Sequence, residues 1–146
     1  MSEENVEIVR RYIEGSPRDP THLSGFVARY WEPDGDYYPV RRFPEARPCH
    51  GRDEIVNFLG EFFAAWENYS YSVKGVKAVG DDRVFLHGRI RAEGRASGMG
   101  LEGDLYQCFW LRHGRFFRAE DHLTMKGAGR ALGLTGEALE AARLSE

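Results

Sequence analysis

Two strand-like runs, Asp104 to Arg112 and Arg115 to Leu123, meet at His113-Gly114 and constrain this chain more than any other stretch. A two-residue turn ending in glycine fixes a hairpin register, because the tight turns that match strand twist need φ > 0 and glycine accepts it. The turn sets Arg112 opposite Arg115 and Leu111 opposite Phe116, and an unbroken ladder carries that register outward. With side chains alternating at period two, one face then holds Asp104, Tyr106, Cys108, Trp110, Phe117, Ala119, Asp121 and Leu123. The other holds Leu105, Gln107, Phe109, Leu111, Phe116, Arg118, Glu120 and His122. On this reading Asp121 is a carboxylate among Tyr and Trp rings, and the functional argument rests on it.

The 146 residues fit one domain, 1–146, with a core of moderate size. A net charge of -3 and a pI near 6.0 supply no basic field, so no nucleic-acid partner is expected. Cys49 and Cys108 make neither a metal spacing nor a disulfide framework and read as buried thiols. No apolar run is long enough for a membrane span, and the start Met-Ser-Glu-Glu lacks the basic and apolar regions of a signal peptide. A cytoplasmic protein without membrane partners is expected.

Along the chain, Val6, Val9 and Ile13, with Ile8 and Tyr12, predict a helix that Gly15-Ser16-Pro17 ends. A second helix opens with Asp19 as N-cap and Pro20, then spaces Leu23, Phe26, Val27, Tyr30 and Trp31 by three and four. Residues 33–50 hold four of the six prolines and read as an irregular loop with a short strand at Asp36–Val40. Tyr37, Tyr38 and His50 are its pocket-rim candidates. The third helix carries Ile55, Phe58, Leu59, Phe62, Phe63 and Trp66 on one stripe, with Asp53 and Glu54 in its first turn. Strands follow at Asn68–Val79 and Arg83–Arg95, then a glycine-rich link from Gly94 to Gly103, the hairpin, and a short terminal helix over 136–144 capped by Thr135. Three helices followed by a four-stranded antiparallel meander predict an α+β domain whose helices cover one sheet face.

The pieces Ser2-Glu-Glu-Asn-Val-Glu-Ile-Val-Arg, His50-Gly-Arg-Asp-Glu-Ile, Gly80-Asp-Asp-Arg-Val, Gly94-Arg-Ala-Ser-Gly, Phe109-Trp-Leu-Arg-His-Gly-Arg and Glu137-Ala-Leu-Glu-Ala-Ala occur in an order that resembles the SnoaL-like polyketide cyclase family, within the nuclear transport factor two-like superfold. The resemblance implies a curved antiparallel sheet closed by three N-terminal helices into a cone with an internal pocket, usually as a dimer. The last strand, Gly114-Arg-Phe-Phe-Arg-Ala-Glu-Asp-His-Leu, is similar to that of limonene epoxide hydrolases and related cyclases, whose acid/base Asp falls where Asp121 stands. Those hydrolases also use an Arg and a second Asp two apart on the third strand. Here that strand offers His87, Arg89 and Arg91 and no carboxylate until Glu93, which argues against epoxide hydrolysis by that mechanism.

Two readings stand side by side. In the first, the chain is a cofactor-independent lyase, isomerase or cyclase acting on a small apolar or aromatic carbonyl compound. Asp121 is its general base, and Arg89 or His87 stabilises an enolate oxygen. Tyr38, His50, Phe58, Phe62, Trp66, Tyr106, Trp110 and Phe117 then line the substrate pocket. In the second, the same cone is a non-catalytic binding or dimerisation module filled by its own rings, Asp121 is half of an ion pair with Arg89 or Arg91, and His87 lies at a dimer contact. No His and carboxylate cluster suggests a metal, and the acid/base reading requires no cofactor. A homodimer is expected through an outer sheet face bearing Leu105, Phe109, Leu111 and Phe116, which would otherwise leave a large apolar patch exposed.

Overall fold

Helix formation follows the apolar spacing. In the computed structural model, which describes residues 2–17, 19–40 and 46–134, α1 (Ser2–Gly15) carries Glu3 and Glu4 in its first turn and buries Val9 and Tyr12. The terminal helix expected over 136–144 lies outside the described residues. α2 (Pro20–Tyr30) is capped by Asp19, whose carboxylate accepts the Thr21 N–H at 3.0 Å. α3 (Arg52–Ala65) buries Ile55, Phe58 and Phe62. Both α2 and α3 run directly into strands, because Trp31 and Trp66, the residues that close their apolar stripes, are already extended. These residues begin β1 (Trp31–Tyr38) and β3 (Trp66–Val79). The short strand expected at Asp36–Val40 is thus the end of a longer β1 that starts before the expected loop, and that stretch also contains the short β2 (Cys49–His50).

The remaining strands are β4 (Arg83–Gly94), β5 (Gly100–Arg112) and β6 (Arg115–His122), so the end of the glycine-rich link, 100–103, belongs to β5. The order across the sheet is β2-β1-β6-β5-β4-β3. The α+β class stands, but the sheet is mixed rather than antiparallel: β1 lies parallel to β6 while every other pair is antiparallel. It is open, with β2 and β3 at its edges. α1, α2 and α3 bury the face that carries Leu86, Ile90, Leu105 and Phe116. A fourth helix, α4 (Met125–Ala131), packs Ala128 on the opposite face beside Phe85 and Cys108. None of the described helices is long and apolar enough to cross a membrane.

The hairpin turn forms as expected, with φ of 56° at His113 and 74° at Gly114. Arg112 faces Arg115 and Leu111 faces Phe116, but Trp110 then pairs with Arg118. Phe117 is an extra residue, a β-bulge, and every pairing beyond it shifts by one. Gln107 comes opposite Asp121 and Phe109 opposite Ala119. The face assignment made from an unbroken ladder is thereby corrected: Asp121 joins Leu105, Phe109, Leu111 and Phe116 under the helices, and Tyr106 and Trp110 face the other way. That apolar set is no outer face. All four residues are at most 5% exposed, so the dimer argument built on their exposure fails.

The two adjacent phenylalanines test the bulge. Phe116 is fully buried, against Tyr12, Trp31 and Phe109, whereas Phe117 is half-buried beneath the Arg112 guanidinium at 5.0 Å. Urea unfolding is expected to show a loss of about 3–5 kcal/mol for Phe116→Ala and of about 1 kcal/mol for Phe117→Ala. Equal losses would mean that the ladder runs without a break.

Candidate active site

The bulge turns Asp121 inward, and three further strands bring polar groups to it. Gln107 on β5 lies directly opposite, and its Nε2 donates to Asp121 Oδ1 at 2.7 Å. Parallel pairing of β1 with β6 sets Tyr37 beside Ala119, two residues short of Asp121, and the Tyr37 hydroxyl donates to Asp121 Oδ2 at 2.5 Å. From β3, the Tyr71 hydroxyl donates to Gln107 Oε1 at 2.8 Å. α1 adds Tyr12, whose oxygen accepts the Trp31 indole N–H at 3.2 Å. Among these groups and the rings of Phe58 and Phe62 lies a cavity of about 80 Å³, with half-buried Ile13, Ser16, Leu59 and Phe63 also in its wall. A single water needs only about 10–15 Å³ on this scale.

The electrostatics of the site follow from burial, with no cation bonded to Asp121 among the described residues. Asp121 is 8% exposed, and burial pushes its carboxyl up to about 6, against the opposing pull of the Tyr37 and Gln107 hydrogen bonds. Both donors are neutral. Burial and the Asp121 charge hold the Tyr37 phenol well above its ordinary range, and burial pushes Tyr12 up to about 12. At neutral pH the site is thus one carboxylate faced by protonated phenols. Each carboxylate oxygen uses one lone pair on a protein donor and keeps another for a ligand proton.

Of the site candidates named from sequence, Asp121, Tyr37, Phe58 and Phe62 meet in the cavity wall. Trp66 packs on Phe62 at a centroid distance of 6.3 Å but is not in that wall. The others lie elsewhere, and the reason is strand alternation. Leu86, Gly88 and Ile90 take the inner face of β4, which turns His87 and Arg89 to the opposite face. There His87 stacks on Tyr106 at 4.4 Å and reaches Asp104 at 3.3 Å, and Arg89 reaches Asp104 and Glu102, each at 3.4 Å. Neither can stabilise an enolate beside Asp121. Arg91 alternates with Ile90 and also points away, so the ion pair weighed for Asp121 does not form. Tyr38 and Trp110 flank Arg118 on that same face. Phe117 sits in the bulge, and His50 is an exposed ring paired with Asp36 at 2.7 Å.

Sequence reasoning missed Gln107, Tyr71 and Tyr12 as site residues. Gln107 carries a legible signal, a lone amide within the apolar run Leu105 to Leu111, but the unbroken register sets Asp121 on the face opposite to it. Tyr12 belongs to the apolar stripe of the first helix and Tyr71 to the strand Asn68–Val79, and the hydroxyl of neither has a sequence signature.

Residues 9–119 match the SnoaL-like domain. This chain belongs to that family. None of the curated proteins matches it in sequence. Solved structures similar to this SnoaL-like domain include a protein from Jannaschia sp. CCS1 assigned to the SnoaL-like polyketide cyclases, with a TM-score of 0.72 at 15% identity over 92% of this chain and 95% of the other. A ketosteroid isomerase-like fold from Catenulispora acidiphila DSM 44928, in complex with trimethylamine, gives 0.67 at 16% identity over 88% and 94%. TerC, co-crystallised with polyporic acid, gives 0.67 at 17% identity over 89% and 98%. At these identities the likeness is one of fold.

The raised Asp121 carboxyl predicts a pH dependence of stability. Its folded value of about 6 lies above the ordinary 3.8, so the buried group favours the protonated fold. This contribution is full below pH 3.8 and disappears as pH rises through about 6. Two units at ~1.4 kcal/mol each give about 3 kcal/mol. Denaturation from pH 4 to 7 is expected to show wild type losing on the order of this amount relative to Asp121→Asn. Parallel curves would mean that Asp121 titrates as an ordinary surface acid.

Proposed function

We propose that this SnoaL-like domain is a cofactor-independent acid/base enzyme of lyase, isomerase or cyclase type, acting on a small apolar or aromatic carbonyl compound, with Asp121 as general base. The observation that carries the proposal is a desolvated carboxylate, set near the basicity a neutral-pH base needs, opening into a ring-lined cavity. A C–H beside a carbonyl gives up its proton to the carboxylate, and the charge passes to the carbonyl oxygen. Tyr12 takes the stabilising role that His87 and Arg89 are too distant to play. Its oxygen accepts from Trp31, which polarises the phenol, and its own O–H is directed to the enolate oxygen. TerC and the Catenulispora protein hold small organic molecules, which supports a ligand of that size for the same fold.

The reading is tested without knowing the substrate, by following α-proton exchange of small ketones and 1,3-diketones in D₂O by NMR. Wild type is expected to catalyse exchange with a rate that rises with pH and levels above about 6, since the base must be ionised. Asp121→Asn should lower the rate by roughly 10²–10⁴. The small cavity favours a second reading, a binding module without turnover. Thermal stabilisation by members of the panel with no exchange of any of them would select it.

The homodimer belongs to this proposal. We assign it to the part of the opposite face around Tyr38, Arg118 and Trp110, beside α4. Sedimentation equilibrium at micromolar concentration is expected to give the dimer mass, and a monomer there would overturn the assignment.

A further inference from the structure

Glycine in the interior of a strand weakens it and often marks a place where another group approaches closely. Gly88 stands in the middle of β4, and a Cβ there would lie 2.3 Å from Tyr71 Cε1 and Cζ and 2.4 Å from its hydroxyl oxygen. No side chain other than hydrogen leaves room for that phenol. Tyr71 lies across Gly88 with its hydroxyl on Gln107 Oε1, and the far end of the same carboxamide donates to Asp121 Oδ1. The three groups form one directed run of donors that ends on the carboxylate.

A carboxamide has two ends of opposite character, and only its NH₂ end can face an ionised carboxylate at 2.7 Å. Donation to the oxygen end holds that orientation and strengthens the N–H on the other side, because donors in a chain polarise one another. We propose that Tyr71 is a positioning residue for Asp121: seated on Gly88, it holds the Gln107 carboxamide with its NH₂ end on the carboxylate and so sets the pH at which Asp121 can accept a proton. The role in catalysis rests on reading Asp121 as the proton-transfer group.

Other titratable groups near this carboxylate are Tyr12 from α1, Tyr37 from β1, Cys49 from β2, Tyr69 from β3 and Cys108 from β5. Burial raises Tyr12, Tyr37, Cys49 and Cys108 above their ordinary values, so these four hold their protons near pH 6. α2 presents Val27 to the core, α3 presents Phe58 and Phe62, and β4 presents Ile90. Glu120 and His122, adjacent on β6, point to the opposite face with His87, Arg89 and Arg91.

The test is a carbon NMR titration of the Asp121 carboxyl in the whole chain with labelled aspartate, the resonance being identified by its loss in Asp121→Asn. Tyr71→Phe keeps the ring and removes the hydroxyl, and the midpoint should rise by about half a unit or more. Gly88→Ala, which displaces the ring, should move it in the same direction. Gln107→Leu should raise it at least as far, and adding Tyr71→Phe to Gln107→Leu should raise it no further, because Tyr71 acts through the amide. Where exchange is catalysed, its pH profile should move with the midpoint. A wild-type midpoint in Tyr71→Phe, or a Tyr71 shift that persists in full without Gln107, would overturn the proposal. A shifted midpoint in a protein that exchanges no ketone would sink the enzymatic reading and leave the Tyr71 role standing.

Discussion

A single residue inserted at Phe117, relative to β5, rotates the rest of β6 by one pleat, and the burial of Asp121 follows from that rotation. The alternative register is electrostatically worse. It would bring Arg118, Glu120 and His122 beneath α1, α2 and α3, with several kcal/mol of desolvation for each buried ion. In the observed register these three form a half-exposed network, with Arg118 on Glu120 at 2.6 Å and Glu120 on His122 at 3.0 Å, and one carboxylate is buried in their place. The bulge keeps Phe109, Leu111 and Phe116 in the core under either count, so the hydrophobic term does not choose between registers. The charges do.

Once Asp121 is inside, what surrounds it decides its chemistry. An arginine at hydrogen-bond distance would hold it ionised and weakly basic, with its carboxyl pulled below the ordinary range. Tyr37 and Gln107 instead satisfy the buried oxygens with neutral dipoles, which opposes the effect of burial without cancelling it. The charged side chains of β4 are kept on the far side of the sheet, where Arg89 meets Asp104 and Glu102 in solvent and contributes little to stability. Strand alternation is thus also a charge filter, since the inward positions of β4 are Leu86, Gly88 and Ile90.

Much of the fold was legible in the sequence because it depends on local periodicity. The stripes Val6-Val9-Tyr12-Ile13 and Ile55-Phe58-Phe62, the Asp19 cap, and the His113-Gly114 turn each report their own element. Asp121 was found for a reason that failed in detail: its face was assigned from a register that Phe117 breaks, yet the residue is buried among rings, those of Tyr37, Phe58 and Tyr71 rather than Tyr106 and Trp110. His87 and Arg89 could not be sided from β4 alone, whose apolar residues fall on both faces because α4 covers Phe85 while α1, α2 and α3 cover Leu86. β1 is legible only at its end. Asp36–Val40 reads as a strand, but Trp-Glu-Pro-Asp-Gly before it reads as a turn, and this part joins the strand through pairing with distant β6.

That pairing is itself irregular. Between Trp31 and Asp36 β1 advances five residues while β6 advances two, from Phe116 to Arg118, so the slack in one strand lies beside the bulge in the other. Upstream, Trp31 is fixed by its indole bond to Tyr12 and by the Arg52 guanidinium on its carbonyl oxygen at 2.6 Å and 2.9 Å. Downstream, Tyr37 must land beside Ala119 for its hydroxyl to meet Asp121. The irregular stretch takes up the mismatch between these two fixed points. A regular parallel ladder from Trp31 onward would set Ala119 beside Asp34, three residues early, and Tyr37 would run past the carboxylate. The geometry around Asp121 therefore depends on two adjacent breaks in the sheet, one aiming the acid and the other aiming the phenol that holds it.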